Sequence, residues 1–112
     1  MNTPNLKTYM VAYDTSDDKT RRHVIKALRK AGLYRIQKSI FLGASTPERM
    51  KEVAGFLDYL VQSALREHPD DPSPDRYFIL LLDENALKQF RWFSPDPLDL
   101  DFYTARKTVV FF

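Results

Sequence analysis

The sequence predicts an α+β fold in the order βαββαβ with one further strand at the C-terminus, and three observations carry that prediction. Two long stretches repeat apolar residues at three- and four-residue spacing, and each is flanked by short runs rich in β-branched and aromatic residues. Each stretch ends on a stop signal, Gly32 for the first and His68-Pro69 for the second. The chain has 112 residues, 44% of them hydrophobic and only three of them glycine. That is the size of a single domain with enough apolar area to offset the entropy of ordering it. One domain spanning 1–112 is therefore expected.

Taken in order, Lys7 to Tyr13 (KTYMVAY) lacks strict alternation and suits a central strand covered on one face and partly on the other. Asp14 to Asp18 (DTSDD) offers N-cap oxygens and first-turn carboxylates, which start a helix near Asp17. Val24, Leu28 and Ala31 form its inner stripe, Arg22, Lys26, Arg29 and Lys30 its outer side, and Gly32 its C-terminal glycine. Leu33 to Ala44 (LYRIQKSIFLGA) reads as extended chain, one bent strand or two short ones. Thr46-Pro47-Glu48 opens a second helix, since threonine caps, proline suits the first helical position and glutamate favours the positive end. Its stripe runs through Met50, Val53, Ala54, Leu57, Leu60, Val61, Ala64 and Leu65.

Pro69 to Asp75 (PDDPSPD) is an exposed connector, because prolines fit neither a helix interior nor a central strand. Arg76 to Leu82 (RYFILLL) reads as a buried strand, Glu84 to Phe90 as a short helix, Ser94 to Asp101 as an acidic linker, and Lys107 to Phe112 (KTVVFF) as the last strand. The plan is ferredoxin-like βαββαβ with an added C-terminal strand. Left unpaired, that strand would be an adhesive sheet edge, so residues 95–112 are expected to pack on a second subunit in a homodimer.

Composition narrows the chemistry. The chain has no cysteine, which removes disulfides, thiolate metal sites and a cysteine nucleophile, and accords with a cytoplasmic setting. Met1 to Leu6 carries no basic cluster or apolar stretch of signal-peptide length, and the longest apolar run, Tyr77 to Leu82, is six residues, against about 20 for a spanning helix. No membrane association is expected. Net charge is only +2, but Lys19 to Lys38 holds eight of the seventeen basic residues and no acid, whereas Glu67 to Asp101 holds nine acids and three bases. The basic segment suits phosphate. A solvated helix face would explain the same cations, but it would ordinarily carry acids as well.

Several spaced motifs occur together. Tyr13-Asp14, Ser16-Asp17-Asp18-Lys19 with the basic helix, Arg35-Ile36-Gln37-Lys38-Ser39-Ile40-Phe41, Thr46-Pro47 and the closing Thr108-Val109-Val110-Phe111-Phe112 resemble the signatures of the CRISPR-associated protein 2 family across almost the whole chain. One departure stands out: Leu42 lies between Phe41 and Gly43, where that family often has an acidic residue. The resemblance implies a dimer beside the CRISPR integrase and a metal-dependent phosphodiesterase activity, with Asp14 as the Mg²⁺ ligand. It also implies Ser39 and Phe41 near that aspartate, the hydroxyl toward phosphate and the ring shaping the pocket.

From the residues alone, Asp14 reads as a helix-capping loop carboxylate worth about 1 kcal/mol. Ser39 likewise reads as a surface hydroxyl and Phe41 as a core ring. The resemblance favours metal binding at Asp14, where one carboxylate completed by waters and phosphate oxygens makes a minimal Mg²⁺ site. Duplex binding is expected through Arg21, Arg22, Lys26, Arg35 and Lys38, by backbone contact without base readout. His23 and His68 have no second histidine or carboxylate at ligand spacing and receive no role. The expected function is a dimeric scaffold for CRISPR adaptation that binds duplex DNA and can act on DNA or RNA as a Mg²⁺-dependent endonuclease. The alternatives are a stand-alone metal-dependent ribonuclease and a toxin-like ferredoxin-fold dimer with no CRISPR role.

Overall fold

The computed structural model describes residues 5–104. In chain order these form β1 (Lys7–Asp14), α1 (Asp18–Ala31), β2 (Leu33–Gln37), β3 (Ile40–Ser45), α2 (Pro47–Glu67), β4 (Arg76–Leu82), α3 (Glu84–Gln89) and α4 (Leu100–Tyr103). The sheet order is β2-β3-β1-β4, with β1 antiparallel to both β3 and β4, and β3 antiparallel to β2. β1 therefore runs parallel to β2, and β3 to β4, each pair joined by a helix that passes over one intervening strand. This is the interleaved double βαβ of the ferredoxin-like plan. The strand expected over Lys107–Phe112 lies outside the described residues. Among the described residues no helix is long and apolar enough to cross a membrane.

The helix boundaries follow from their caps. Asp17 accepts from the Thr20 backbone N–H at 2.9 Å and from its hydroxyl at 2.7 Å, and these bonds hold its carboxyl below the usual carboxylate range. Gly32 takes φ 104° and donates its N–H back to Arg29, a left-handed stop that a Cβ would strain. Thr46 caps α2 from its side chain, with Pro47 at the first helical position.

Both long helices cover one face of the sheet. Alternate β1 residues Tyr9, Val11 and Tyr13 meet Val24, Leu28 and Ala31 of α1 and Met50, Val53 and Leu57 of α2, with Phe41 and Leu33 among them. Leu28, Leu33 and Leu57 are fully buried, each contributing about 1.5–3 kcal/mol of hydrophobic stabilisation. The α2 stripe outruns its cover. A helix of 21 residues is about 31 Å long, whereas the seven residues of β4 extend about 23 Å. Leu65, near the helix end, is accordingly 46% exposed.

Three features differ from the sequence reading or sharpen it. The extended stretch after Gly32 is two strands, with the bend at Lys38-Ser39 and a register irregularity between Arg35 and Gln37. β4 is not the buried strand expected: it lies at the sheet edge, and Phe78, Leu80 and Leu81 are 52%, 47% and 51% exposed. The helices reach only Tyr77 and Ile79, and an apolar run reads the same whether or not a layer covers its second face. At the end of the acidic linker, α4 is an unanticipated helical turn capped by Asp99. Leu98, Leu100 and Tyr103 pack with Leu87 on Leu42 and Leu82, so this part of the segment covers one end of the chain's own second sheet face.

β3 passes close against the α1–β2 junction at Gly43. A Cβ on Gly43 would stand 2.1 Å from the Gly32 carbonyl oxygen and 2.7 Å from Leu33 Cα, all backbone with no side chain to yield. Gly43→Ala should therefore destabilise the fold by about 1–3 kcal/mol, read as a lower urea midpoint at unchanged slope. Gly55→Ala, in α2 with open space around it, should not.

Three tyrosines, Tyr9 and Tyr13 of the core and Tyr77 packed against it, are held above the ordinary phenol pKa. Burial is the main cause in each, followed by Glu48 for Tyr9, Asp75 for Tyr13 and Asp58 for Tyr77. With folded pKa values raised, their contribution is fully present below the unfolded value of about 10 and is lost as pH rises beyond it, because the unfolded chain ionises first. The urea midpoint should be insensitive to these groups from pH 7 to 9 and fall above about pH 10, less steeply in Tyr13→Phe.

Candidate nucleic-acid interface

Asp14 is the last residue of β1, placed opposite Arg76 of β4. The neighbouring Tyr13 backbone N–H donates to the Ser39 carbonyl at 2.9 Å. This bond extends the β1–β3 pairing to the β2–β3 turn and brings Lys38-Ser39 beside the strand end. On the other side the chain turns tightly into α1: the Thr15 hydroxyl, on a buried residue, accepts the Asp17 N–H at 3.1 Å.

The result is a depression of about 400 Å³ lined by Asp14, Asp18, Arg21, Lys38 and Ser73, together with Thr15 and Ser16. Arg21 is committed at both ends of its guanidinium. One nitrogen pairs with Asp18 and the other donates to the Thr15 carbonyl at 2.7 Å. It therefore buttresses the turn that carries Asp14, and part of its charge is already neutralised. Asp14 itself is exposed, and among the described residues no hydrogen bond or ion pair ties its carboxylate to the protein.

The five expected phosphate contacts are not gathered into one patch. Arg21 and Lys38 border the depression. Arg22 and Lys26 are exposed one turn apart on the outer side of α1. Arg35 is exposed on β2, its Nε donating to the Lys38 carbonyl at 3.1 Å and supporting the turn. Ser39 supplies its backbone carbonyl to Tyr13. Phe41 is 1% exposed inside the core, opposite Val11, so its ring packs the sheet beneath the site. Leu42 is fully buried against Leu82 and Leu87, and an acid there would lose its hydration without a partner.

Among the described residues no three acidic or histidine side chains converge in a way that could hold a metal ion. The donor chemistry at Asp14 nevertheless fits a hard cation. It is a carboxylate with no protein partner among the described residues, beside Ser16 and Ser73 and with Asp18 engaged by Arg21, so waters, phosphate or a second subunit would supply the remaining ligands. His23 and His68 border a separate groove of about 930 Å³ between α1 and the end of α2. Sequence reasoning overlooked Ser73 and Asp75, which lie in a proline-rich connector without a local motif; only the β1–β4 pairing brings them to Tyr13-Asp14.

Comparison with known proteins bears on the same region. Residues 7–89 match the family model described as CRISPR associated protein Cas2. The chain is similar to CRISPR-associated endoribonuclease Cas2 2 of Pyrobaculum aerophilum, 38% identical over 55 residues that cover 49% of this chain and 60% of that protein. It is also similar to CRISPR-associated endoribonuclease Cas2 of Korarchaeum cryptofilum, 46% identical over 52 residues covering 44% and 55% of the two chains. The chain thus spans little more than half the length of these curated relatives. A chain of a solved partial Cas6-RT-Cas1–Cas2 complex shares the fold, with TM-score 0.51 and 24% identity over 83% of this chain and 97% of that one.

Proposed function

Because the chain belongs to the CRISPR associated protein Cas2 family, matched over residues 7–89, we propose that it acts in CRISPR adaptation as a cytoplasmic homodimer that binds duplex DNA beside the integrase. Asp14 serves as a Mg²⁺-dependent phosphodiester-cleaving centre for RNA or DNA. The observation that carries this reading is the meeting of an uncommitted carboxylate with Lys38 in one depression at the end of the central strand, on a turn braced by Arg21. A carboxylate alone repels a phosphodiester, and cations alone only bind it. The combination suits a site that takes a phosphate and a divalent ion together.

Asp14 would hold the ion, which when bound neutralises charge on the phosphate and acidifies a coordinated water. Lys38 draws the phosphate in, Arg21 keeps the Asp14 turn in place, and Arg22 and Lys26 extend the positive surface along α1. Backbone contact of this kind is blind to base sequence. The names of the matched relatives, both endoribonucleases, support the cleavage chemistry, and the Cas1–Cas2 complex with the same fold supports an integrase partner.

The dimer reading rests on the second sheet face. Across it run the rows Ile40–Ala12–Phe78 and Leu42–Met10–Leu80, and α3 and α4 cover only the Leu42 end. Phe78 and Leu80 are left about half exposed at an edge strand, a pairing hazard that a symmetric partner would remove.

Asp14→Asn should abolish Mg²⁺-dependent cleavage while leaving duplex affinity nearly intact. Log K should fall with log salt by about 0.9 per phosphate contact, and the double change Arg22→Gln/Lys26→Gln should flatten that slope by roughly two units. Lys88→Gln and Arg91→Gln serve as controls and should not change it. Cleavage by Asp14→Asn at the unsubstituted rate, or one slope for all variants, would overturn these assignments.

Sedimentation should show a dimer that Phe78→Asp with Leu80→Asp converts to monomer, as should removal of Lys107–Phe112. An unaltered dimer after both changes would count against this interface.

A further inference from the structure

One contact ties the Asp14 end of β1 to a loop that the chemistry above does not use. Tyr13 is 3% exposed, and its hydroxyl donates to Asp75 Oδ2 at 3.1 Å. Its ring stacks on Tyr77 with centroids 6.2 Å apart and planes 11° apart, and the Tyr77 hydroxyl donates to the Ala54 carbonyl at 3.4 Å. The donor therefore stands on a stiff base. Burial, and next the Asp75 carboxylate, keep the Tyr13 hydroxyl protonated far beyond neutral pH.

The loop from His68 to Asp75 is held at both ends. His68 N–H donates to Ala64 at the end of α2, Asp71 N–H to His68 at 3.2 Å, and Ser73 N–H to the Asp71 carboxylate at 2.9 Å. Pro72 and Pro74 restrict the backbone on either side of Ser73. The loop is sorted by charge. Asp70, Asp71 and Asp75 border the groove toward His23, whereas Ser73 alone of the loop borders the depression of Asp14.

We infer that Asp75 is a positioning residue for the Asp14 site: anchored by Tyr13, it keeps Ser73 at the rim of the depression and the loop's carboxylates turned away from it. The inference rests on the nuclease reading. A phosphate approaching Lys38 then meets a hydroxyl rather than Asp70 or Asp71. Losing the anchor weakens substrate binding through like charge, without removing a group that touches the reacting atoms.

The chain has no cysteine, so Ser73→Cys creates a single site for a nitroxide spin label on the full-length protein. The label should be less mobile in that background than after adding Tyr13→Phe or Asp75→Ala, and should keep that lower mobility with Asp75→Asn, which keeps an acceptor oxygen. With Ser73 intact, Tyr13→Phe and Asp75→Ala should raise KM for the nucleic acid roughly three- to tenfold, the size of one lost hydrogen bond, at nearly constant kcat. Asp75→Asn should restore it. A label indifferent to Tyr13→Phe and Asp75→Ala, or mobilised without a change in KM, would overturn the inference while leaving the nuclease reading standing. If the unsubstituted protein shows no Asp14-dependent cleavage, the nuclease reading falls and the positioning role falls with it.

Discussion

Every feature of the candidate site depends on β1 being paired on both sides. Antiparallel ladders to β3 and β4 run almost its full length, and its inner residues Tyr9, Val11 and Tyr13 are the floor on which both long helices rest. A strand so constrained cannot slip, since a one-residue shift would send its core side chains to the opposite face. Its last residues therefore have a fixed position, and the segments that flank them inherit it. The β2–β3 turn is bound through the Tyr13 N–H, α1 begins three residues beyond Asp14 at its cap, and β4 starts opposite Asp14. Three connections that are distant in the chain converge there because the middle strand ends there.

That convergence gives the site its chemistry and also its economy. Asp14 is left without a protein partner among the described residues, while Asp18, close by in sequence, is taken up by Arg21. Arg21 is less a free cation than a brace that holds the Thr15 carbonyl and the Asp18 carboxylate. Positive charge available to a long anion therefore sits mainly on Lys38, Arg35 and the outer ridge of α1. Cations spread over a surface suit a polyanion's backbone better than a small anion, which would need them focused in a pocket.

The two sheet faces have different fates. The helix-covered face is closed by side chains from β1, β3, α1 and α2. Among the described residues the other is closed where Leu87, Leu98, Leu100 and Tyr103 pack on Leu42 and Leu82, and Phe78 and Leu80 stay about half exposed. The Asp14 carboxylate belongs to this second face by strand alternation, because Met10 and Ala12 precede it at two-residue intervals. Asp14 thus shares a sheet face with Phe78 and Leu80, two residues along β1 from the Ala12–Phe78 pair.

The helices and their ends were legible in the sequence because their determinants lie within a few residues of one another. Asp17 reaches Thr20, Thr46 reaches Arg49, and Gly32 supplies the only positive φ among the described residues. The order of elements from β1 to α3 and the central place of β1 were likewise readable from local periodicity. The fate of β4 was not, since RYFILLL carries no mark of whether a layer covers its second face. Nor were the brace at Arg21, or the bond between Tyr13 and Asp75 across 62 positions. These depend on which strands become neighbours, and strand order is settled by packing the whole sheet against two helices rather than by any short stretch of chain. The sequence thus determined which groups were present and which local structures carried them. Only the tertiary structure decided which carboxylate stayed free, which cations reached it and which loop stood at its rim.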